Sequence, residues 1–302
     1  MTTNRLATLL NGRLPLIDGG YGWLLQERGL PPGDVAESWN LTNPEAIRSL
    51  HEEYAAAGAT ILSTNTFGGT RARLAMNGLE DQVAEVNRLG AALAREVADA
   101  HGILVAGDVG PSGELLEPLG TLTPQDAQEM FAEQLRALVA GGIDLVLVET
   151  MSDLGEAKAA IAAARAVAPE LPIIATLSFD TNLRTMMGVD PASAVRELGA
   201  AGADAVGANC GRGPEEMMTI ATQLIAARGD EDVLVIAQSN AGLPHLEGGE
   251  FVYTVDPAGM AEHAVALRSL GVDVVGSCCG STAEHTASMA RALRGTPITS
   301  RG

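Results

Sequence analysis

Short runs of apolar residues recur along the whole chain and alternate with longer amphipathic segments. The eight runs cover residues 14–18, 60–65, 103–110, 143–150, 173–179, 204–210, 233–240 and 272–279. Nearly continuous apolar character is typical of parallel strands, because helices cover such strands on both faces of the sheet. The pattern therefore predicts eight buried β-strands.

The segments between the runs have the spacing of helices. In one of them apolar residues recur at intervals of three and four, which places them on one stripe of a helix: Leu79, Val83, Val86, Leu89, Leu93 and Val97. A weak repeat puts a glycine between a helix and the next run, where it tolerates the left-handed backbone that ends helices: Gly58, Gly142, Gly202 and Gly271. Eight strand–helix alternations predict an α/β fold, a single (β/α)8 TIM barrel in one domain over residues 1–302.

The loops on the two sides of the predicted strands differ in length. Turns before the strands have two or three residues, whereas several segments after the strands are long. In such a barrel the loops after the strands form the C-terminal face, where active sites lie. Polar residues at the ends of the runs would converge there: Asp18, Asn65, Asp108, Glu149, Cys210, Asn240, Cys278 and Cys279.

The overall charge excludes two classes of partner. The chain carries 38 acidic and 19 basic residues, a formal net charge of −19, so an anionic membrane surface or a nucleic-acid backbone is an unfavourable partner. No stretch approaches ~18 uncharged apolar residues, and the start lacks the apolar run of a signal peptide. We expect a cytoplasmic protein with no membrane or nucleic-acid partner. Whether it forms a homo-oligomer is open.

The three cysteines fall on the predicted rim. Cys210 ends the sixth run, and Cys278 and Cys279 end the eighth. Sulfur ligands favour Zn²⁺, and three protein ligands leave the open fourth position of a catalytic site. Adjacent strand residues point to opposite faces, so this pair can share an ion only if the strand has ended, a turn that Gly280 permits. The amide oxygen of Asn240 could hold the fourth position without substrate. Two alternatives stay open: buried structural cysteines and a loop-capping asparagine.

A zinc site of this kind implies chemistry on a sulfur substrate. A free thiol is only ~3% ionised at pH 7, whereas zinc coordination deprotonates it. A thiol that enters the open position would therefore react as a thiolate nucleophile. The arithmetic does not identify the thiol.

Seven segments together resemble a known family. They are DGGYG (18–22), STNTFGGTR (63–71), GPSGELLEPLG (110–120), ETMSD (149–153), VGANCG (206–211), SNAG (239–242) and GSCCGST (276–282). Over residues 10–295 the chain resembles the zinc-dependent homocysteine S-methyltransferases. It is similar to bacterial betaine–homocysteine methyltransferases and to the homocysteine barrel of cobalamin-dependent methionine synthase. The resemblance implies an enzyme that transfers a methyl group to homocysteine and forms methionine.

The resemblance also implies roles for individual residues. The three cysteines match the zinc ligands, and Asn240 matches an asparagine near the metal in some members. Asp18 and Glu149 match the carboxylates that hold the homocysteine amino group. Four residues could supply backbone N–H groups to the homocysteine carboxylate by close approach: Gly19, Gly20, Phe67 and Gly68.

The chain departs from the family pattern at several positions. Ser277 stands where glycine is usual, and Trp23 stands where many members have threonine. Animal betaine enzymes have tyrosines where this chain has Gly68 and Thr150. The aromatic betaine cage of those enzymes is therefore not preserved as such, and the methyl donor stays open.

Aromatic residues in the first two loops favour a cationic methyl donor. Aromatic faces stabilise a quaternary ammonium or sulfonium by about 0.5–2 kcal/mol per ring, which points to betaine or a sulfonium such as S-methylmethionine. The donor-site candidates are Tyr21, Trp23, Trp39 and, in the long loop after the seventh run, His245; Phe67 lies in the same loops. Alternatively, Trp23 and Trp39 only cover the barrel top. A methyl-corrinoid donor would require a separate corrinoid protein.

Other classes of protein fit the residues less well. Cys278 in GSCCG could be a hydrolase nucleophile, but its base would be His285, one turn into the next helix. A Schiff base would need Lys158, the only lysine. A thiol or zinc sensor without catalysis leaves Asp18 and Glu149 unexplained. The five histidines show no ligand spacing, and we expect most of them at the surface.

Overall fold

A seven-stranded parallel sheet forms the centre of the molecule, and each strand overlaps one predicted apolar run. The structure, a computed structural model, describes residues 4–229, 232–247 and 250–294. The strands, in their order across the sheet, are β1 (Ile61–Ser63), β2 (Leu104–Val109), β3 (Leu145–Met151), β4 (Ile173–Leu177), β5 (Ala205–Cys210), β6 (Leu234–Ser239) and β9 (Val274–Ser277). A short hairpin, β7 (His245–Glu247) and β8 (Glu250–Val252), lies in the loop after β6 and was not predicted.

The described sheet has seven strands where eight were predicted, and the difference lies at residues 14–18. Leu16 bridges Val275 of β9, whereas Ile17 bridges Ile61 of β1. Successive residues thus pair on opposite sides, and neither side forms a continuous ladder. The sheet curls until both of its edge strands flank this one segment, which is the arrangement of a TIM-like α/β fold.

Twelve α-helices in the described part of the chain surround the sheet or lie over its ends. They are α1 (Arg5–Leu10), α2 (Gly22–Glu27), α3 (Trp39–Thr42), α4 (Pro44–Ala57), α5 (Arg71–Ala75), α6 (Val83–His101), α7 (Pro124–Gly141), α8 (Leu154–Val167), α9 (Pro191–Ala200), α10 (Pro214–Arg228), α11 (Pro257–Leu270) and α12 (Ala283–Arg294). Within the described ranges, no helix has both the length and the apolar character needed to cross a bilayer. A single domain over residues 1–302 stays a prediction.

The sequence predicted correctly where several helices end. Gly58, Gly142 and Gly271 are the C-caps of α4, α7 and α11, with φ angles of 100°, 97° and 107°. Gly202, with φ of 104°, follows the C-cap of α9. All four adopt the left-handed conformation that glycine enters without a steric penalty, so the predicted repeat is confirmed.

Strand residues alternate between two cores, as the two-residue period of a strand requires. The inner cluster contains residues from all seven strands of the sheet, and Leu6 and Leu10 of α1 join it. The Asn4 side chain caps α1 and donates to the backbone oxygen of Asp204, the residue directly before β5. Helix α1 therefore covers the N-terminal end of the sheet, which leaves the C-terminal end for chemistry.

Gly207 marks the tightest contact between β5 and β6. A Cβ atom at this position would lie 1.8 Å from the backbone oxygen of Ile236. Because that neighbour is backbone within the sheet, Gly207→Ala is expected to lower the free energy of unfolding by about 3 kcal/mol. Urea unfolding would measure the loss. Gly22→Ala is the control, since its Cβ would meet no atom within 4 Å; equal losses in both variants would contradict this account.

Candidate active site

The three cysteine thiols converge at the C-terminal end of the sheet. The Cys210 Sγ lies 3.1 Å from the Cys278 Sγ and 3.7 Å from the Cys279 Sγ, and the latter two are 4.0 Å apart. Strand β9 ends at Ser277, so the prediction that the strand ends before the cysteine pair is confirmed. Gly280 follows with φ of 77°, which provides the predicted turn. The local backbone thus allows two adjacent thiols to face one point.

This donor set fits a metal ion the size of zinc. Tetrahedral coordination with Zn–S bonds of about 2.3 Å separates the sulfurs by ~3.8 Å, close to the spacings in the cluster. The three thiols form a group that could hold a metal ion, and soft sulfur donors select zinc over hard cations. Cys210 itself adopts a left-handed φ of 58° at the end of β5. In a non-glycine residue that conformation is unfavourable by about 1–3 kcal/mol, and such strained residues cluster at functional sites.

Hydrogen bonds among the thiols favour deprotonation of one of the three, Cys279. The thiols of Cys210 and then Cys278 stabilise the sulfur of Cys279 and lower its pKa to about 3. The hydrogen bonds that Cys278 makes, with Cys210 first and Cys279 second, raise the pKa of Cys278 well above its ordinary value. One negative charge is therefore stabilised on the cluster even before the other two thiols lose their protons.

Asn240 joins the two loops that carry the cysteines. Its Nδ2 donates to the backbone oxygen of Gly211 at 2.8 Å, and its Oδ1 accepts from the backbone N–H of Cys279 at 3.1 Å. The amide thus fixes the relative position of β5 and β9 at their ends. Its use as a fourth metal ligand stays a prediction, because Oδ1 is engaged by Cys279 in this arrangement.

A cavity of about 540 Å³ opens above the cysteines. Ten of the predicted site residues line it: Gly19, Gly20, Tyr21, Trp23, Phe67, Gly68, Glu149, Cys210, Cys278 and Cys279. The sequence-based grouping of strand-end residues therefore corresponds to one physical cavity. Asp18, Asn240, Trp39 and His245 do not line it.

The carboxylate of Glu149 lines the cavity and has few hydrogen-bond donors from the protein. Within the described chain, the one hydrogen bond to this carboxylate comes from the Asn209 side chain, at a long 3.4 Å. Burial, followed by the charges of Cys279 and Asp18, raises the pKa of Glu149 to about 8. A cationic group in the cavity would favour the ionised form. Glu149 is thus suited to bind an ammonium group.

Asp18 lies directly behind the cavity wall rather than on it. Its Oδ2 accepts from the Tyr21 hydroxyl at 2.7 Å and from the Ser63 N–H at 2.8 Å, and its Oδ1 accepts from the Ser63 hydroxyl at 2.9 Å. Burial raises the pKa of Asp18 to about 7 although these bonds oppose it. Tyr21 and Ser63 both line the cavity. Asp18 therefore influences the cavity through the hydrogen bonds that it accepts from these two residues.

Two of the four predicted backbone donors are engaged within the protein. The Gly68 N–H donates to the Glu37 carboxylate at 2.5 Å, and the Gly20 N–H donates to the Ser281 hydroxyl at 3.3 Å. The N–H groups of Gly19 and Phe67 donate to nothing in the part of the chain that the structure describes. These two are therefore free to meet a ligand carboxylate.

The predicted aromatic residues separate into two groups. Trp39 is 8% exposed and packs in the main core, because α3 lies against α4 and α6. His245 is exposed at the start of β7. Trp23 does line the cavity, and its indole meets the ring of Tyr253 edge-on with centroids 5.7 Å apart. Only part of the predicted donor-site set therefore reaches the cavity.

Sequence reasoning missed four residues with a place at the site. Asp108 was grouped with the strand-end residues, and Asn209 lies in the segment VGANCG (206–211), but neither was given a role. Glu37 and Tyr253 lie in none of the seven segments. Asn209 accepts from the backbone N–H of Thr150 at 2.8 Å and donates to its hydroxyl at 2.7 Å. A buried asparagine next to a predicted ligand was the one available signal.

The expected surface position of most histidines is wrong. His51, His263 and His285 are buried, because each bonds to a side chain or backbone group beneath its helix. His285 accepts from the Thr282 N–H at 3.1 Å, and its other ring nitrogen lies 3.0 Å from the Val255 oxygen. Both nitrogens are engaged away from Cys278, so the hydrolase reading lacks its base.

Lysine chemistry also finds no support in the cavity. Lys158, on α8, is partly exposed and pairs with Glu197 through its ammonium group at 2.5 Å. It does not line the cavity. A Schiff base at the thiol site is therefore excluded by position.

Comparison with known proteins places this fold, with its thiol-lined cavity, among the methyltransferases. The sequence profile described as homocysteine S-methyltransferase matches residues 15–293. The chain belongs to the homocysteine S-methyltransferase family. Methionine synthase of Mycobacterium leprae (strain TN) is 31% identical over 308 residues, which cover 96% of this chain. Methionine synthase of Mycobacterium tuberculosis (strain ATCC 25618 / H37Rv) is 31% identical over 305 residues and covers 95%. The chain spans about a quarter of the length of both relatives (25%).

A solved structure has the same fold. The homocysteine methyltransferase MmuM from Escherichia coli, in its metallated form, is 24% identical and superposes with a TM-score of 0.78. The match covers 95% of this chain and 99% of that one. The oxidised form of the same protein superposes with a TM-score of 0.79 at 24% identity. Both superpositions extend over almost the whole chain, and what they show is a shared fold.

Proposed function

We propose that the protein transfers a methyl group from a small cationic donor, betaine or a sulfonium such as S-methylmethionine, to the thiol of homocysteine and so forms methionine. One observation carries the proposal. Three thiols meet within 4.0 Å of one another at a cavity that also holds the weakly compensated carboxylate of Glu149. A sulfur-binding centre beside an ammonium-binding carboxylate matches the two functional ends of homocysteine.

Zn²⁺ is the ion we assign to the three thiols, because the donor set and spacing suit it. When bound, zinc supplies a Lewis acid that keeps a coordinated thiol deprotonated near neutral pH. Cys210, Cys278 and Cys279 would hold it, and Asn240 maintains the distance between their loops. The MmuM structure named as metallated is compatible with this assignment.

We assign the binding of homocysteine to groups that line the same cavity as the thiols. We assign its ammonium to Glu149, with the buried charge of Asp18 behind Tyr21 and Ser63 as support. Its carboxylate is assigned to the unengaged N–H groups of Gly19 and Phe67, which are fixed donors and lose no side-chain entropy on binding. This placement directs the substrate thiol towards the cysteines and leaves the other end of the cavity for the donor.

Asn209 holds the Glu149 carboxylate in a fixed position relative to the cysteine thiols. Its amide contacts the Glu149 carboxylate and both polar groups of Thr150, and it lies 4.0 Å from the Cys278 Sγ. A rigid acceptor and donor at this point fixes the ammonium-binding carboxylate relative to the thiols. Fixed geometry between nucleophile and donor is the main catalytic contribution we expect from the polypeptide.

A second candidate is methyl transfer from a separate methyl-corrinoid protein. Its support is the resemblance to methionine synthase, whose matched forms are about four times as long as this chain (25% of their length is covered). A non-catalytic thiol or zinc sensor is the candidate of another class. It does not account for a cavity of about 540 Å³ lined by a half-buried carboxylate suited to an ammonium group.

Parallel methylation assays test the proposal. The zinc-loaded protein with homocysteine is expected to form methionine with betaine, S-methylmethionine or dimethylsulfonio compounds. The readout is methionine quantified by chromatography, with metal-free protein as the control. Activity with methylcobalamin alone would overturn the donor class, and absence of methionine with every donor would overturn methyl transfer itself.

We further infer that residues 14–18 serve as the eighth strand and close the barrel. In support, the Ile17 N–H donates to the Val275 oxygen at 2.9 Å, and the Asp18 N–H donates to the Ile61 oxygen at 3.2 Å. Hydrogen bonds on both sides of one extended segment are what closure of a sheet requires. Closure would place Asp18 at a strand end, on the same rim as the cysteines.

A further inference from the structure

A buried histidine contacts one of the residues that line the cavity. His51, on α4, is fully buried, and its Nδ1 lies 2.9 Å from the hydroxyl oxygen of Tyr21. The same hydroxyl donates to the Oδ2 atom of Asp18 at 2.7 Å. His51, Tyr21 and Asp18 therefore form one chain of hydrogen bonds that ends at a carboxylate.

The direction of this chain depends on which ring nitrogen of His51 carries the proton. Burial lowers the pKa of His51 to about 3, so the ring is neutral and has a single N–H. Burial also raises the pKa of Tyr21 well above its ordinary value, so the hydroxyl keeps its one proton. When that proton is donated to Asp18, the Nδ1 of His51 must donate to the Tyr21 oxygen. If Nδ1 accepted instead, an ionised Asp18 would lose a donor.

The surroundings of the other ring nitrogen favour a proton on Nδ1. The Nε2 of His51 is buried and has no hydrogen-bond partner in the part of the chain that the structure describes. A proton on Nε2 would have no acceptor there, whereas a proton on Nδ1 has the Tyr21 oxygen within hydrogen-bond distance. Because a buried N–H without an acceptor is unfavourable, the Nδ1–H tautomer is the stable one.

Helix α4 also fixes the loop that carries the other two residues. Tyr54 lies three residues after His51 on the same buried face, and its hydroxyl donates to the backbone oxygen of Gly20 at 2.9 Å. The rings of Tyr21 and His51 lie with their centroids 5.3 Å apart. Residues 18–21 are thus held against α4 at two points, which fixes the geometry of the hydrogen-bond chain.

We propose that His51 is a positioning residue that sets the direction of this hydrogen-bond chain and so keeps Asp18 ionised for the substrate ammonium. The inference rests on the proposed function. Donation from Nδ1 polarises the Tyr21 hydroxyl and strengthens its bond to Asp18. Ser63 donates to the same carboxylate through its N–H and its hydroxyl, and hydrogen bonds to a carboxylate favour its charged form. His51 does not line the cavity, so it acts through Tyr21.

His51→Leu is expected to weaken homocysteine binding mainly at low pH. Burial raises the pKa of Asp18 to about 7, and a weaker bond from Tyr21 would raise it further. The KM of homocysteine should therefore rise about fivefold at about pH 6 but less than about twofold at about pH 8.5, where Asp18 is ionised in both proteins. Steady-state kinetics at saturating donor would measure KM, with kcat changed less than about twofold.

The conservative variant His51→Asn tests whether the N–H is what matters. Its amide places an N–H near the position of Nδ1, so the KM should return to within about twofold of the wild-type value at both pH values. The other ionisable groups that face Asp18 are unchanged in both His51 variants and cancel in the comparison with wild type: Tyr21, Tyr54 from α4, Asp108 from β2 and Glu149 from β3.

Two further comparisons separate this role from a structural one. Tyr54→Phe removes the other hydrogen bond from α4 to the loop but leaves the bonds to Asp18 in place, so any rise in KM should be equal at the two pH values. In a Tyr21→Phe background, His51→Leu should have no further effect on KM, because the connection to Asp18 is already missing. An equal rise at both pH values in His51→Leu, or full additivity with Tyr21→Phe, would overturn the inference.

The tautomer can be measured without turnover. Nitrogen NMR of histidine-labelled wild-type protein distinguishes a protonated Nδ1 from a protonated Nε2, and the signal that is missing in His51→Asn identifies the ring. We expect the Nδ1–H form between about pH 6 and about pH 8.5, and an Nε2–H form would overturn the inference. Failure of the wild-type protein to form methionine would overturn the proposed function, whereas normal turnover with an unchanged KM in His51→Leu at low pH overturns this inference alone.

Discussion

Cys210→Ala is expected to lose both the metal and methionine formation. The variant removes one of three sulfurs that lie within 4.0 Å of one another, and two remaining thiols make an incomplete set for zinc. Without zinc, a thiol substrate is only ~3% ionised at pH 7, which costs at least about 30-fold in rate from the thiolate population alone. Zinc content by atomic absorption and turnover with homocysteine measure the two losses.

Thr150→Ala is a suitable control for that variant. Thr150 also has a left-handed φ, 60° against 58° for Cys210, and lines the same cavity without contributing sulfur. It should keep its zinc. Full activity in metal-free Cys210→Ala protein would contradict the role of the thiol centre.

The sequence predicted the fold well where its pattern reports burial. Seven apolar runs became the seven strands, and the glycine repeat predicted four left-handed helix ends. The run at 14–18 is as apolar as the others, but its pairing depends on both edges of the curled sheet. That dependence involves residues almost 260 positions away, such as Val275 for Leu16. Hydropathy along the chain contains no information about such pairing.

The sequence predicted a site residue when its side chain has distinctive chemistry and when it also lies at the end of a predicted strand. The cysteines met both conditions. Aromatic residues met neither. Trp23 and Trp39 fall in the same predicted loop region but lie on the short helices α2 and α3, and only packing separates the core residue Trp39 from the cavity residue Trp23. Asp108 shows the complementary limit. A strand-end aspartate is common, and only the structure reveals that its Oδ1 is buried and unpaired.

Glu149→Gln is expected to weaken homocysteine binding by about 100-fold in KM while kcat changes only a few-fold. The amide keeps the shape of the side chain and its contact with Asn209, but it removes the charge that we assign to the substrate ammonium. Charge-assisted hydrogen bonds contribute about 1.5–3 kcal/mol, which corresponds to roughly 10- to 150-fold. Steady-state kinetics with homocysteine varied at saturating donor would measure the split between KM and kcat.

The pH dependence of KM separates a charge effect from a steric one. Burial raises the pKa of Glu149 to about 8 and that of Asp18 to about 7. Both acids are therefore neutral at low pH, and ammonium binding must displace their protons, so the homocysteine KM should rise as pH falls below about 8. Below about pH 7 both acids are protonated, so log KM should rise by about two for each unit that the pH falls in the wild-type protein, and by about one in Glu149→Gln, where only Asp18 still loses a proton.

Glu156→Gln provides the matched comparison for this profile. Glu156 is also buried with a raised pKa, but it accepts from Ser112 and lies outside the cavity. Its variant should retain the wild-type homocysteine KM and the steeper slope, because the charge it removes does not face the substrate. An unchanged slope in Glu149→Gln would instead mean that the ammonium is held elsewhere. Asp108, which lines the same cavity and has a buried, unpaired Oδ1, would then be the acceptor to examine.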